Sequence, residues 1–469
     1  MGGAGEGDGQ TEPLLEKLSN SSSSEIDKRT GTAWTATAHI ITAVIGSGVL
    51  SLAWSVAQLG WVGGPAAMVL FAGVTLVQSS LLADCYIFHD PDNGVVRNRS
   101  YVDAVRFYLG EKSQWFCGFF LNINFFGSGV VYTLTSATSM RAIQKANCYH
   151  REGHDAPCSV SGDGYYMLMF GLAQVVLSQI PGFHDMAWLS VLSAAMSFTY
   201  SLIGFGLGVA KVITNGVIKG GIGGIAMVSA TQKVWRVSQA IGDIAFAYPF
   251  ASVLLEIEDT LRSPPPESET MRTASRASIA VTTFFYLCCG CFGYAAFGDA
   301  TPGNLLTGFG FYEPYWLIDF ANLCVAVHLL GGYQVYSQPV FAAVERRMGG
   351  AGAGVVEVAV PAAVAWPSRW RRGCRVNVYR LCFRTAYVAA TTALAVWFPY
   401  FNQVVGLLGA FTFWPLSIHF PVEMYLVQKK VAPWTPRWLA VRAFSAACLA
   451  TGAFASVGSA VGVFSSKTS

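Results

Sequence analysis

The stretch Ile41-Thr42-Ala43-Val44-Ile45-Gly46-Ser47-Gly48-Val49-Leu50 lies inside the first long apolar segment of the chain, residues 34–59. That segment can cross a bilayer, because about 20 apolar residues suffice. Its centre forms a helix poorly, since each glycine costs about 1 kcal/mol relative to alanine and serine competes for backbone hydrogen bonds. Unwound backbone in hydrocarbon is tolerated only where it is buried in protein or lines a polar cavity. The stretch is therefore a candidate binding site, although small residues here also suit close packing of another helix.

Composition places the chain among proteins that cross a membrane several times. Only 12% of its 469 residues are charged and 53% are hydrophobic, against about 25% charged residues in soluble domains. Hydropathy predicts eleven spans, and the apolar stretch 349–366 is interpreted as a loop because it contains Glu357, Pro361 and several glycines. The predicted spans are residues 34–59, 64–88, 114–142, 164–181, 186–212, 237–259, 277–298, 313–343, 381–397, 401–427 and 437–464.

The distribution of charge predicts how the chain is oriented. Residues 1–30 are rich in glycine and serine and lack an apolar core, which predicts a disordered cytosolic tail rather than a signal peptide. Most of the 30 lysines and arginines lie on one side of the membrane if the N-terminus is inside, so the positive-inside rule predicts a cytosolic N-terminus and an extracellular C-terminus. Cys148 and Cys158 then share an outer loop, where we expect a disulfide, with two free thiols as the alternative.

The sixth span contains a second helix break. Pro249 lacks an N–H and clashes with the carbonyl four residues earlier, so it frees the carbonyl of Ala245. The two breaks then stand in the first members of two sets of five spans. Because five is odd, the second set enters the membrane from the opposite side, which is the inverted repeat of secondary transporters with a central site at the breaks. The transmembrane domain, 31–469, is divided into repeat one at 34–212, repeat two at 237–427 and an extra span at 437–464.

Two such breaks predict a ligand that carries both charges. Amide N–H groups and a positive helix end around Gly46, Ser47 and Gly48 suit an anionic group. Unpaired carbonyls on the other side suit a cationic group. A free α-amino acid has both groups a few ångströms apart, so it fits both ends. The carbonyls predicted for this role are near Ile45, Phe246 and Ala247.

Long runs of the sequence match the pattern of one known family. They are residues 29–32, 38–54, 82–86, 242–248, 256–261, 293–298, 308–322 and 413–425. These runs resemble the plant amino acid permeases of the amino acid/auxin permease family, and the resemblance covers nearly everything after residue 28. It implies an all-α integral membrane protein with a LeuT-type 5+5 inverted repeat, broken first and sixth helices and an eleventh span. It also implies a plasma-membrane location and proton-driven import of amino acids.

Ionisable residues inside the spans are candidates for proton coupling, since they are costly in hydrocarbon. Asp243 can take up a proton outside and release it inside, bind the substrate ammonium directly, or only accept backbone hydrogen bonds. His328 titrates in a suitable range, and Asp319 precedes it in the same span; the ranking is Asp243, His328, Asp319. Selectivity for the substrate side chain is expected from spans three and six, at Asn124, Phe126, Phe246 and Tyr248.

Other classes of protein fit the sequence less well. The chain has no nucleophile elbow, phosphate-binding loop or metal-ligand spacing, so we expect neither an enzyme nor a cofactor or metal. The expected partners are an amino acid, protons and the lipid bilayer; no nucleic acid is expected and no oligomer is required. Two alternatives stay open. The chain could import an auxin-like carboxylate, or it could sense an amino acid on the same fold without transporting it.

Overall fold

The fold is built almost entirely from helices. The computed structural model describes residues 29–90, 94–153, 155–158, 161–180, 187–310, 314–349, 357–359 and 375–468. The predicted N-terminal tail thus lies outside the described residues, apart from Arg29 and Thr30. The helices are α1 (Ala33–Val44), α2 (Gly48–Ala83), α3 (Tyr101–Glu152), α4 (Asp163–Ser178), α5 (Ala187–Asn215), α6 (Ala230–Ala247), α7 (Ala251–Asp259), α8 (Glu267–Phe297), α9 (Tyr315–Gly349), α10 (Val378–Trp397), α11 (Phe401–Thr412), α12 (Phe420–Gln428) and α13 (Pro436–Thr468).

Short strands and turns connect some of these helices. An antiparallel pair of strands follows α2, and a second pair lies after α9, with its first strand in the stretch 349–366 that the sequence predicts as a loop. Two 3₁₀ turns link α8 to α9, and a π-helical segment joins α11 to α12. These elements are β1 (Ile87–Asp90) with β2 (Gly94–Arg97), β3 (Glu357–Ala359) with β4 (Arg375–Asn377), the turns Gly298–Ala300 and Leu305–Phe309, and the segment Phe413–His419.

Each of the eleven predicted spans coincides with helix. In the described residues, eight helical segments are long and apolar enough to cross a membrane. The smaller number has three causes. The first two predicted spans share α2, which bends at Gly60, where φ is +81°. Helix α4 has only 16 residues, and α10 carries Arg380 and Arg384, which lower its hydropathy.

The first and sixth spans are both broken, and they run in opposite directions. The backbone N–H of Gly31, just before α1, donates to the carbonyl of Thr260, just after α7, at 3.0 Å. At the other end, Nζ of Lys233 near the start of α6 donates to the carbonyl of Gln58 in α2 at 2.6 Å. Residue numbers therefore rise along one span and fall along the other. The predicted fold class, a LeuT-type all-α membrane fold with broken first and sixth helices and an eleventh span, is confirmed.

Cys148 and Cys158 form a disulfide that closes the connection between α3 and α4. The pair closes a loop of 10 residues, for which restriction of the unfolded chain is worth roughly 3 kcal/mol. We expect Cys148→Ser to lower the thermal unfolding temperature of the detergent-solubilised protein. Cys288→Ser is the matched control, because Cys288 is a free thiol. Equal unfolding temperatures for both variants and the unmodified protein would contradict this assignment of stability to the disulfide.

Candidate functional site

A small cavity lies where the two helix breaks meet. Its volume is about 50 Å³, which holds about four water molecules at roughly 10–15 Å³ each. This number of water molecules is close to the number of non-hydrogen atoms in the backbone of a single amino acid. None of the residues that line the cavity carries a charged side chain. Any charge on a ligand must therefore be balanced by backbone groups and hydroxyls.

Four helix ends supply those backbone groups. Helix α1 ends at Val44 and α2 begins at Gly48, while α6 ends at Ala247 and α7 begins at Ala251. The start of a helix presents unpaired N–H groups and a partial positive charge, and the end presents carbonyls and a partial negative charge. The cavity thus has both polarities without an ionised residue. It can hold a ligand that carries one anionic and one cationic group.

The start of α2 forms the side of the cavity that suits an anion. Gly46, Ser47 and Gly48 all line the cavity, as the sequence predicts for a site at this break. Ser47 is only 1% exposed, and its Oγ has no hydrogen-bond partner among the described residues. A Cβ on Gly48 would lie 3.0 Å from both Cα and Cβ of Ala247, so glycine lets the two breaks touch. The Ser47 hydroxyl and the free amides of α2 can together bind a carboxylate.

Two of the carbonyls predicted to face a cation are already hydrogen-bonded. The carbonyl of Ile45 accepts hydrogen bonds from Oγ of Ser197 at 2.8 Å and from the hydroxyl of Tyr200 at 3.1 Å. The carbonyl of Ala247 lies 2.8 Å from the hydroxyl of Tyr286. Neither Ile45 nor Ala247 lines the cavity. Neighbouring helices supply donors to these freed carbonyls, and the ligand contacts of Ile45 and Ala247 stay predictions.

The carbonyl of Ala245 is better placed for a cationic group. Pro249 has no N–H, so it cannot form the helical hydrogen bond to this carbonyl. Both Ala245 and Pro249 line the cavity, and so does the predicted Phe246. The proline therefore leaves a carbonyl next to the cavity without its helical partner. An ammonium group can donate to it.

Helix α3 places only one of its two predicted residues in the cavity. Asn124 lines it, and its Nδ2 donates to Oγ1 of Thr412 at 3.2 Å. Phe126 instead packs against Tyr387, with ring centroids 5.4 Å apart, and lines a separate apolar crevice of about 740 Å³. Residues two apart point about 200° apart on a helix, so both cannot face the same cavity. The structure thus places Phe126 outside the cavity, and its contact with the ligand stays a prediction.

Asp243 and Tyr248 lie beside the cavity without lining it. Asp243 is 0% exposed, and its Oδ2 accepts a hydrogen bond from Nδ2 of Asn402 at 3.0 Å. Tyr248 packs edge-on against Tyr286, with ring centroids 5.1 Å apart. The side chains of both residues turn toward neighbouring helices, and the direct ligand contacts predicted for them stay predictions. A separate role for Asp243 in proton coupling does not require ligand contact.

The other two ionisable candidates lie at different levels of α9. His328 packs beside the first break: its Nδ1 is 2.9 Å from Oγ of Ser197, and its Nε2 is 3.6 Å from the position of a Cβ on Gly46. Asp319 accepts a hydrogen bond from Nδ2 of Asn147 at 2.7 Å. It precedes His328 by about 13 Å along the helix, at about 1.5 Å per residue. Only His328 is brought next to the cavity.

Tyr286 of α8 is a candidate that the sequence analysis missed. Its hydroxyl lies 2.7 Å from the carbonyl of Val44 and 2.8 Å from the carbonyl of Ala247. These carbonyls are at the ends of α1 and α6, so a single hydroxyl bridges both breaks. One of 19 tyrosines in an aromatic-rich chain gives no local signal of such a role. Only the tertiary contact reveals it.

The segment Phe413–His419 is wound as a π-helix next to the cavity. Phe413, Leu416 and Ser417 of this segment line the cavity. Pro415 lies between them and cannot donate a backbone hydrogen bond. Single π-helical turns occur mostly at functional sites. This turn directs three side chains toward the two breaks.

Ion pairs link the residue before α1 to the end of α7. Arg29 lies 2.7 Å from Oδ1 of Asp259 and 3.6 Å from Oε1 of Glu267. The hydroxyl of Tyr86 donates to the same Oδ1 of Asp259 at 2.6 Å. Burial, followed by this hydrogen bond, raises the pKa of Tyr86 well above its ordinary value, so the phenol stays protonated and donates. These contacts tie the N-terminal ends of the first span and of α8 together.

Comparison with known proteins gives consistent matches over most of the chain. The model of the family described as transmembrane amino acid transporter protein matches residues 29–465. Probable amino acid permease 7 of Arabidopsis thaliana is 55% identical, over 94% of this chain and 95% of that protein. Amino acid permease 3 of Arabidopsis thaliana is 52% identical, over 93% and 91%. A solved structure of a Na⁺-coupled sialic acid symporter, substrate-bound and outward-open, gives a TM-score of 0.49 at 10% identity, over 93% and 89% of the two chains.

Proposed function

Because this chain belongs to the family of transmembrane amino acid transporter proteins, we propose that it imports free L-amino acids together with protons across the plasma membrane. The cavity supports this proposal most directly, since it joins two positive and two negative helix ends without a charged side chain. The names of the permeases that it resembles support an amino acid as the cargo. The charge distribution supports a cytosolic N-terminus and an extracellular C-terminus.

The helix ends suggest how an amino acid is held. Its carboxylate accepts hydrogen bonds from the amides at the start of α2 and from Oγ of Ser47, which has no other partner. Its ammonium donates to the carbonyl of Ala245, which Pro249 leaves without a helical partner. The side chain then lies toward Asn124 and Phe246, which also line the cavity. Side chains larger than the present cavity require these residues to move.

Transport follows if the broken spans rock around the occupied cavity. Asp243 of α6 takes up a proton from outside and releases it inside, and the proton gradient thereby drives the amino acid inward. Asp243 is the first candidate because it precedes the break by about one helical turn. His328, beside the first break, is second. Asp319 is third, since it lies farther from the cavity along α9.

The proposal is tested by expressing the protein in cells that lack their own amino acid uptake. Inward current and tracer uptake are recorded for a panel of amino acids at acid and at neutral external pH. We expect saturable currents that are larger at acid pH. Specific binding without current or uptake would indicate a sensor, and equal competition by indole acetate would indicate an importer of auxin-like carboxylates.

Tyr286→Phe is expected to slow amino acid transport by about tenfold without changing the fold. The variant removes the donor shared by the two break carbonyls, and a buried carbonyl left without a partner costs about 1–3 kcal/mol. The measurement is the initial rate of uptake per molecule at the cell surface. Tyr165→Phe is the matched control, because Tyr165 is 53% exposed. Unchanged transport by Tyr286→Phe would show that the bridge does not contribute.

A further inference from the structure

We propose that the eleventh span, α13, completes the proton site of Asp243 by contributing the hydroxyl of Ser459. The side-chain amide of Gln239 in α6 is a second hydrogen-bond donor at this site. The inference deepens the proposed function and depends on proton symport. It adds a role in proton coupling for α13, a span that lies outside the two repeats.

Three buried polar atoms without partners belong to residues of α6 and α13, two helices that pack against each other. They are Oδ1 of Asp243, Oγ of Ser459 and Nε2 of Gln239, and none has a hydrogen-bond partner among the described residues. The exposed fractions are 0% for Asp243 and Ser459 and 1% for Gln239. Buried polar atoms are nearly always hydrogen-bonded, to protein or to ordered water. Two of these atoms, Oδ1 of Asp243 and Oγ of Ser459, lie within 2.9 Å of the same position and indicate a group that they share, and Gln239 is one helical turn before Asp243 on α6.

Gly406 of α11 has no side chain and so leaves room for the Asp243 carboxylate and the Ser459 hydroxyl to lie close together. A Cβ on Gly406 would lie 2.8 Å from Oδ1 of Asp243, 2.9 Å from Oγ of Ser459 and 3.1 Å from the backbone carbonyl of Gln239. Oδ1 of Asp243 and Oγ of Ser459 are therefore no more than about 6 Å apart, a separation that one water bridges with two hydrogen bonds of about 2.8 Å. Gly462 of α13 likewise leaves room for Gln239, whose Oε1 is 2.9 Å from the position of a Cβ there.

No cation in the described residues neutralises Asp243. Helices α2, α11 and α13 pack against α6, and the polar side chains that face Asp243 from them are Ser55, Asn402 and Ser459, all neutral. The two cations on α6 are engaged elsewhere. Lys233 donates to two backbone carbonyls, and Arg236 lies over an indole ring. The ionised carboxylate therefore depends on neutral hydrogen-bond donors.

These donors set how readily the proton is released. The step is the dissociation of the O–H bond of the Asp243 carboxyl, with the proton passing to the bridging water and the carboxylate remaining behind. Asn402 donates to one carboxylate oxygen, and the water donates to the other while it accepts hydrogen bonds from Ser459 and Gln239. When Asp243 is protonated, the Ser459 hydroxyl instead accepts from the water, which leaves the water a lone pair for the Asp243 proton. The water then passes a proton to solvent on the inner side. Removal of a donor favours the protonated acid. The variant then holds its proton more tightly and releases it more slowly.

The test measures the external proton concentration that gives half-maximal amino acid current in the full-length protein. We expect Ser459→Ala to lower that concentration about fivefold, as for the loss of one hydrogen bond to a carboxylate, and to reduce the maximal current. Gln239→Ala should act in the same direction. Ser445→Ala is the matched control on α13, because its Oγ accepts a hydrogen bond from Trp414 and it should leave the half-maximal concentration unchanged.

The results distinguish the inference from the proposed function. If the unmodified protein responds to acid pH while both Ser459→Ala and Gln239→Ala match it, the inference is overturned and proton symport stands. If the unmodified protein shows no acid stimulation, or needs Na⁺ for its current, both fall. If Ser459→Ala does not reach the surface, Gln239→Ala decides by the same shift or its absence.

Discussion

Gly409→Ala is expected to reduce amino acid uptake at least about tenfold. A Cβ on Gly409 would lie 2.4 Å from the carbonyl of Gly242 and 2.5 Å from the backbone N of Phe246. Both atoms belong to the backbone of α6 just before its break, so they cannot move aside without shifting the helix. Overpacking of this kind costs about 1–3 kcal/mol, and each 1.4 kcal/mol is about a factor of ten in rate. Uptake and surface abundance are measured together.

Gly73→Ala is the matched control for Gly409→Ala. Gly73 lies in α2, and a Cβ there would meet nothing within 4 Å. Replacement of a helical glycine by alanine in open space favours the helix, so the control should transport normally. Near-normal uptake by Gly409→Ala would mean that α6 and α11 can separate at no cost. The close contact between them would then be irrelevant to transport.

Asp243→Asn is expected to abolish acid-stimulated uptake while leaving exchange of amino acids across the membrane. Asparagine keeps the size of aspartate but carries no proton. A gradient of one pH unit stores about 1.4 kcal/mol per proton, enough to accumulate the amino acid about tenfold. The variant should lose this proton-driven accumulation. Exchange should persist because Asp243 does not line the cavity. The readouts are accumulation against external pH and tracer exchange with amino acid on both sides.

Asp155→Asn is the control for this prediction, since Asp155 is an exposed aspartate in the connection between α3 and α4, away from the cavity. The control should keep its acid stimulation. If acid stimulation survives in Asp243→Asn, the residue that carries the proton is His328 beside the first break rather than Asp243. If Asp243→Asn loses both accumulation and exchange, Asp243 instead contributes to amino acid binding.

The sequence predicted the helix breaks because their causes are local. Gly46, Ser47 and Gly48 weaken a helix wherever they stand, and Pro249 removes a helical hydrogen bond wherever it stands. Hydropathy likewise predicted helix in each of the eleven segments, because the requirement for apolar length acts on each segment separately. Because each set contains five spans, an odd number, the two broken spans were then predicted to run in opposite directions.

The contacts across helices could not be predicted in the same way. The carbonyl of Ile45 receives its donors from Ser197 and Tyr200, more than a hundred residues away in sequence. Phe126 is turned from the cavity by the rotation of α3, which depends on how that helix packs. Ser459 approaches Asp243 only because α13 lies beside α6. Such pairings depend on the packed fold and leave no pattern within a single span.

The central claim is that helix ends hold both charged groups of the amino acid. The most direct measurement is inhibition of labelled L-alanine uptake by L-lactate, which lacks the α-amine, and by L-alaninamide, which lacks the carboxylate. Loss of a hydrogen-bonded charged group costs about 3 kcal/mol, which weakens binding by roughly a hundredfold, so either compound at about a hundredfold excess should inhibit no more than an equal concentration of unlabelled L-alanine does. Unlabelled L-alanine should compete fully. Competition by L-lactate or L-alaninamide as strong as that by L-alanine would contradict the claim.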